Sequence, residues 1–322
     1  MKKIKTKCQN FKKSKNYKRS LYLLKINFFL ILSLFITYSP SEKIKKDIKV
    51  ALCTIGKKEN LYIKEFVDYY IRLGMDHIFL YDDNDPNTEN MADVIGPSYQ
   101  KYVTITKDKN KIKFQNEAYN DCYKNHNQTF DWLLMIDMDE YLFITKHTLK
   151  NYLTLPVFNK CDFIKFCWKK ALDNDLMFYD NRSLFERFKP PYLKSGFIKS
   201  IIRGNIPGLH YSIHSPGFSP VKNKSCSSSG KRINKPEVNF EYLSNRDFKL
   251  AYMIHFKYKS SEEYIRKYKR GYSNWLGDNK DAVLLDKIED YFLENRVTLE
   301  KIDYFEKELK LNLSKFRSKI KK

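Results

Sequence analysis

The sequence predicts an α/β protein whose mostly parallel sheet carries helices on both faces and is preceded by one transmembrane helix. From residue 48 onward, short apolar runs alternate with segments whose apolar residues have helical spacing, which is the order typical of parallel sheets. Several of the apolar runs end in acidic clusters. A basic segment and then an apolar one come before them. The 322 residues therefore have room for an anchor and one large domain.

The composition limits the class of protein. A hydrophobic fraction of 42% and an aromatic fraction of 16% suffice for a large core, which excludes global disorder. The formal net charge of +22 would suit a nucleic-acid-binding protein. However, much of this charge lies at the two ends, and we find no zinc-finger spacing, RNP aromatic motif or helix-turn-helix. We therefore expect no nucleic-acid partner.

The N-terminal region is predicted to hold the protein in a membrane. Residues 1–20 are basic and contain no acid, residues 21–39 are almost wholly apolar, and residues 40–47 form a short polar stem. The basic flank should stay in the cytoplasm, which places the rest in the lumen of the Golgi or another secretory compartment. The alternative is a cleaved signal peptide, but no clear small-x-small cleavage site follows. Four glycosylation sequons agree with this single-pass type II topology: Asn127, Asn181, Asn223 and Asn312.

The cysteines show neither C-x-x-C nor zinc-ligand spacing, so we expect no structural metal site. The six are Cys8, Cys53, Cys122, Cys161, Cys167 and Cys226. Five of them would share an oxidising lumen, which leaves at least one unpaired. The sequence does not tell which of them pair.

The first part of the predicted domain, residues 48–276, has clear alternation. Strands are predicted at 48–55, 77–81, 103–106 and 132–136, and helices at 60–73, 91–95 and 114–125. In such sheets, ligands bind beyond the carboxyl ends of the strands. The polar segments 56–60, 82–85 and 137–139 all follow strands, and we expect them to line one crevice.

Past residue 145 the pattern is weaker. We predict strands at 162–168, 184–188, 197–203 and 250–256 and helices at 149–155 and 261–276. Residues 210–220 are expected to form a loop with two histidines, and residues 222–239 a mobile loop. Residues 277–322 are predicted to be a helical, basic C-terminal tail.

The segment Asp137-Met138-Asp139-Glu140 follows the apolar run WLLMI. Carboxylates at the end of a buried strand would repel each other and be costly to bury unpaired. A divalent cation removes this cost, because Mg²⁺ and Mn²⁺ take oxygen ligands and leave positions open for phosphates. The D-x-D spacing therefore suggests a site for a metal and a diphosphate, whereas the alternative is a solvated turn.

A longer ordered set of motifs resembles the GT-A glycosyltransferases, in the family-2-like group that includes glycosyltransferase family 92. The matching residues are Lys57-Lys58-Glu59, Leu73-Gly74, Tyr81-Asp82-Asp83-Asn84-Asp85, Asp137-Met138-Asp139-Glu140-Tyr141, Trp168, Lys199-Ser200-Ile201, His255-Phe256, Lys259-Ser260, Lys267 and Arg270-Gly271. They span about residues 48–275. Lys58 replaces an expected Asn, Asp85 replaces a Ser, and residues 169–175 lack the F-G that usually follows the Trp.

This resemblance implies a Rossmann-like GT-A fold, a UDP-sugar donor, Mn²⁺ or Mg²⁺, and direct displacement with inversion at the anomeric carbon. Family 92 suggests galactose as the donor sugar and a glycan or glycoprotein as the acceptor. An inactive, membrane-anchored glycan-binding relative is the alternative, although the retained Asp137, Asp139 and His255 argue against it. A basic nucleic-acid-binding protein is a third possibility.

The resemblance also suggests residue roles. Asp137, Asp139 and His255 are the predicted metal ligands, although a histidine that ends an apolar strand can equally be a core residue. The predicted ligands of the nucleotide and diphosphate are Glu59, Asp82, Asp83, Asp137, Lys199, Lys259, Lys267 and Arg270. For the basic residues the alternative is a solvated face, and for the acids an ordinary turn. His210 and His214 are weaker candidates for the same pocket.

The acceptor hydroxyl usually needs a carboxylate base. Asp173, Asp175 and Glu186 lie in the segment after the D-x-D where such an acid is expected. The sequence does not choose among them, and Asp175 is the one we select as the catalytic candidate.

Overall fold

The fold is organised on a ten-stranded mixed sheet, seen in a computed structural model. The structure describes residues 47–107, 115–212, 214, 224–233, 247–270 and 280–320. The predicted tail at 1–20, the anchor at 21–39 and nearly all of the stem lie outside these residues. Among the residues that the structure describes, no helix is both long and apolar enough to cross a bilayer.

The first part of the sheet is parallel, as the alternation predicts. It has the order β3-β2-β1-β4, in which β1 is Val50–Gly56, β2 His77–Asp82, β3 Val103–Thr106 and β4 Trp132–Met135. The helices between these strands are α1 (Ile63–Leu73), α2 (Met91–Ile95) and α3 (Gln115–His126). Helix α1 ends at Gly74, whose φ of 105° is a left-handed conformation that glycine adopts without strain.

The second part is mixed rather than parallel. From β4 the order continues β4-β7-β6-β10-β5, in which β5 is Glu140–Ile144, β6 Phe163–Lys170, β7 Leu193–Arg203 and β10 Ala251–His255. Strand β7 is antiparallel to both β4 and β6. The short helices of this part are α4 (Leu149–Leu153), α5 (Leu184–Arg187) and α6 (Asp247–Leu250), and α7 is Ser261–Lys269.

Two local predictions in this part were wrong. Residues 184–187 form a helix instead of a strand, because the side chains of Ser183 and Glu186 reciprocally cap its first turn. The predicted mobile loop contains the strands β8 (Ser225–Ser227) and β9 (Arg232–Ile233), which pair with each other.

Alternate residues of β1 enter two cores, one on each face of the sheet. Val50 and Leu52 pack in the cluster that includes α1, whereas Ala51 and Cys53 pack in the cluster that includes α3. Disulfides join Cys53 to Cys122 of α3 and Cys161 to Cys226 of β8. Cys167 is buried and unpaired, so the expectation of at least one unpaired cysteine is confirmed.

The C-terminal helices α8 (Lys280–Glu294), α9 (Leu299–Leu309) and α10 (Ser314–Ile320) share a third core with α7. Tyr264 of α7 packs on Tyr291 of α8, with 4.7 Å between the ring centroids. The ammonium of Lys301 on α9 lies 2.7 Å from the buried carboxylate of Asp173. These helices therefore pack on α7 and link it to Asp173.

We expect Lys301→Ala to lower the free energy of unfolding by roughly 3–5 kcal/mol, because it leaves the buried Asp173 carboxylate without its ammonium partner. Denaturant unfolding of the full chain measures this change. Lys307→Ala is the matched control, since Lys307 is exposed on the same helix and should change stability by no more than about 0.5 kcal/mol. Equal effects of the two substitutions would contradict the buried pairing.

Candidate active site

The polar residues that follow β1, β2 and β4 meet at one edge of the sheet. Gly56 pairs with Asp82 at the ends of β1 and β2, and its main-chain oxygen accepts a hydrogen bond from the Asp83 amide. A Cβ at Gly56 would come within 2.2 Å of the Met138 sulfur, so any side chain there would force Met138 to shift. Met138 thus packs against the end of β1. The predicted convergence of the strand ends is confirmed.

Asp139 is buried between two basic side chains. Its Oδ2 lies 2.6 Å from the Lys267 ammonium and 3.4 Å from Nε2 of His255. Burial alone would raise the pKa of Asp139, but the neighbouring Lys267 and His255 outweigh it and hold the pKa well below its usual value. Burial lowers the pKa of His255, so the imidazole is neutral at pH 7. Asp139 is therefore a carboxylate that is already matched by a cation.

Asp137 is held by a different set of side chains. Its Oδ1 lies 3.0 Å from the Lys199 ammonium, accepts a 2.7 Å hydrogen bond from the Tyr119 hydroxyl, and also contacts the Gln115 amide. The same fully buried Lys199 lies 3.6 Å from Glu140. Burial, followed by the charges of Asp137 and Asp139, raises the pKa of Glu140 although Lys199 opposes the shift. Lys199 therefore neutralises the acids instead of projecting freely into the crevice.

Glu59 forms a second acid–base group beside Asp139. It lies 3.1 Å from Lys259 and is also paired with Arg270, whose other nitrogen donates 2.9 Å to the Lys58 main-chain oxygen. Lys259 stacks over the ring of Tyr62 at 3.8 Å. Burial would raise the pKa of Glu59, but Lys259 and Arg270 lower it to about 2. The end of β1 is thus tied to the residues that flank α7.

Asp82 has a structural contact set. Its two carboxylate oxygens accept hydrogen bonds of 3.0 Å from the main-chain amides of Asn84 and Met91, which shapes the turn and the start of α2. The neighbouring Asn84 is buried and binds the Lys58 amide and the main-chain oxygen of Glu89. Asp83 is partly buried. The roles of both aspartates toward a nucleotide stay predictions.

The residues present suit a divalent cation only in part. Asp139 and neutral His255 place an oxygen and a nitrogen 3.4 Å apart, and both atom types are ligands for Mn²⁺. Among the described residues, no group of three or more His, Cys, Asp or Glu side chains is arranged to hold a metal. A cation at this point would thus be held by two side chains and would need its other ligands from phosphate and water, as is usual for Mg²⁺.

The predicted bases have partners elsewhere. Asp173 binds Lys301 and the Tyr291 hydroxyl, and Asp175 lies 3.0 Å from Lys301. Glu186 caps α5. None of these recorded contacts joins them to the Asp139 group, and the assignment of Asp175 as base stays a prediction.

The two candidate histidines differ in position. His210 is exposed on a loop. The ring of His214 contacts Trp168, which in turn contacts His255. Burial, with a smaller effect of Lys199, lowers the pKa of His214 to about 4. His214 is thus linked to His255 through Trp168, whereas His210 lies exposed on its loop.

Gln115 and Tyr119 were missed by the sequence analysis, although both touch Asp137. They lie four residues apart on α3 and thus share one helix face. The four-residue spacing is visible in the sequence. However, only the packing of α3 against β1 and β4 shows that Gln115 and Tyr119 face the D-x-D segment.

Comparison with known proteins identifies a matching family. The model of the family described as glycosyltransferase family 92 matches residues 46–308. No curated protein matches the chain. Among solved structures, the chain is similar to HddC from Yersinia pseudotuberculosis with 10% sequence identity and a TM-score of 0.26, covering 49% of this chain and 74% of that one. A likeness at that TM-score supports no conclusion about this protein.

We expect the stabilising effect of Glu59 to disappear between pH 4.5 and about pH 2. Its pKa is lowered from 4.5 to about 2 in the folded chain, so the folded state binds this proton less tightly than the unfolded state does. The contribution is therefore present above pH 4.5 and is lost as the pH falls toward 2. At pH 7, Glu59→Gln should cost roughly 3–5 kcal/mol of unfolding free energy, because the buried Lys259 and the partly buried Arg270 lose this carboxylate partner.

Denaturant unfolding of the wild type and Glu59→Gln across this pH range tests the expectation. Glu300→Gln is the control, because Glu300 is exposed on α9 and should alter stability by no more than about 0.5 kcal/mol at pH 7. A difference between wild type and Glu59→Gln that stays constant down to the acid end would show that the ion pairs do not stabilise the fold.

Proposed function

The chain belongs to glycosyltransferase family 92 and is a glycosyltransferase. We propose that it is a GT-A enzyme that transfers galactose from a UDP-sugar to a glycan or glycoprotein. In this proposal the reaction depends on Mn²⁺ or Mg²⁺ and inverts the anomeric carbon. The observation that supports it is a group of three acids at the strand ends, the buried Glu59 and Asp139 and the half-buried Asp137, each paired with a lysine.

The lysines and Arg270 would bind the diphosphate. Lys267, Lys259 and Arg270 are paired with carboxylates in the free protein, and phosphate oxygens offer them an equivalent charged acceptor. These cations lie on or beside α7, and charges fixed in a buried site stabilise a leaving group more than they would in water. Their role in the transfer is thus to hold the diphosphate and accept its growing negative charge.

Asp139 and His255 are the residues that would hold the metal ion. Both are buried, and the pKa directions keep Asp139 ionised and His255 neutral, which are the forms that bind metals. When bound, the ion supplies positive charge to the diphosphate. Asp137 and Glu140 would support this position through Lys199.

We place the catalytic domain in an oxidising lumen, anchored by residues 21–39 as a single-pass type II membrane protein. The two disulfides support this proposal, because such bonds persist in the secretory pathway and are rare in the cytosol. Each closes a loop of more than sixty residues and should stabilise the fold by about 4 kcal/mol.

We expect the purified chain to bind UDP in a metal-dependent way. Titration calorimetry with Mn²⁺ and then with EDTA measures this, and Asp139→Ala should weaken the Mn²⁺-dependent binding about tenfold or more, because it removes one of two side-chain ligands. Asp93→Ala is the control, since Asp93 is exposed on α2 and should bind UDP like the wild type. Binding that EDTA leaves unchanged would refute metal dependence, and no binding in either condition would refute the donor.

We also expect residues 50–322 to resist protease added to sealed microsomes and to be digested once detergent opens the membrane. This follows from the basic N-terminal flank, which should remain cytoplasmic. An immunoblot against the C-terminal helices measures the protected fragment. Digestion in the absence of detergent would place the domain in the cytoplasm and overturn the proposed topology.

A further inference from the structure

An aromatic cluster contains His255 and three further rings that form none of the ion pairs described above. The ring of Trp168 on β6 has its centroid 4.3 Å from that of His255, 5.2 Å from that of Phe197 on β7, and 5.4 Å from that of His214. Phe197 and His214 also contact each other, at 5.6 Å. We call these four residues the aromatic cluster.

Two polar atoms of this cluster are buried without a partner. Neither the indole nitrogen of Trp168 nor Nδ1 of His255 has a hydrogen-bond partner among the described residues. The two residues are only 7% and 6% exposed. A buried polar atom left unpaired costs about 1–3 kcal/mol, so such atoms are rare and often mark an absent ligand or water. Here two occur in side chains whose rings touch.

The backbone around Trp168 opens this cluster to solvent on one side. Between Cys167 and Lys169 the β6–β7 pairing shifts register, and Trp168 alone faces residues 195–197 of β7, so the bulge is in β7. Bulges are common next to active sites, where they redirect side chains. At this bulge Phe197 is 45% exposed, and the space where Gly196 would carry a Cβ is empty. Phe197 is the most exposed ring that touches Trp168, so it is the ring that can turn aside to admit a ligand.

We propose that the aromatic cluster is the binding subsite for the acceptor sugar. A pyranose ring has an apolar C–H face that packs on aromatic rings, and it has hydroxyl groups at its rim. A hydroxyl oxygen can accept from the Trp168 indole N–H, and a hydroxyl satisfies Nδ1 of His255 whether or not that nitrogen carries the proton. An aromatic wall with a few unsatisfied polar atoms is the usual composition of a small-molecule site.

The position of the cluster favours the acceptor over the donor. Nε2 of His255 faces Asp139 and thus the proposed diphosphate site, whereas the Trp168 ring packs against the imidazole and leads outward to the exposed part of β7. A sugar on the cluster would therefore present its hydroxyls next to the donor from the solvent side. This inference rests on the proposed function and adds to it the residues that select the acceptor.

The test uses the full chain and two variants. Trp168→Phe keeps an aromatic ring and removes the N–H, and Phe197→Ala removes the exposed ring. Phe143→Ala is the matched control, because Phe143 is an exposed phenylalanine on β5 that packs on Tyr252 outside the cluster. Each protein is saturated with UDP and Mn²⁺ and probed on a printed glycan array, and the glycan that the wild type retains best is then titrated in free form.

We expect Trp168→Phe and Phe197→Ala each to weaken binding of that glycan about tenfold, while Phe143→Ala has no effect and UDP affinity is the same in all four proteins. Three results would overturn the inference: no glycan retained by the UDP-bound wild type, unchanged glycan affinity in both variants, or weaker binding of the UDP-sugar with unchanged glycan affinity. Failure of the wild type to bind UDP would instead refute the proposed function.

Discussion

The structure depends on the neutralisation of carboxylates at the ends of a buried sheet. Glu59, Asp137 and Asp139 lie where β1 and β4 leave the core, and each meets an ammonium group within hydrogen-bond distance. Without these partners, several negative charges would share a dry crevice at a cost of several kcal/mol each. The cations lie on β7, on α7 and in the segment before α7. The need to pair these acids therefore constrains how the second part of the chain packs against the first.

This requirement explains the C-terminal helices. Helix α7 carries Lys267, and it also carries Tyr264 and Tyr268, whose rings have to be buried against other apolar side chains. Helices α8 and α9 supply that partner through Tyr291 and Phe305, and Lys301 fastens them to Asp173. Asp173, which its place in the sequence made a candidate catalytic base, thus forms an ion pair that joins two parts of the fold.

The same ion pairs suit a protein that binds a diphosphate. A cation that already pairs with a carboxylate is held in position and has already lost part of its hydration shell. Little further desolvation is needed when a phosphate replaces that carboxylate. Asp139, released from Lys267, would then be free to bind a metal ion. The positive charge of the metal ion would balance the negative charge of the diphosphate, so the buried charges would stay balanced. The ring nitrogens of Trp168 and His255 are the contrasting case. No group among the described residues satisfies them, and a neutral, hydroxyl-bearing ligand can.

The sequence by itself determined the parallel first part of the sheet, its helices and the meeting of their polar ends, because periodicity and strand–helix alternation are local properties. The D-x-D segment was identified by its place after a buried strand, and His255, Lys259, Lys267 and Arg270 by the resemblance to glycosyltransferase family 92. The structure brings them together. Only the tertiary structure decided that Lys199, Gln115 and Tyr119 hold Asp137 and that Lys301 reaches Asp173. These outcomes depend on contacts between residues far apart in the chain and on the cost of burying charge, which no local pattern records.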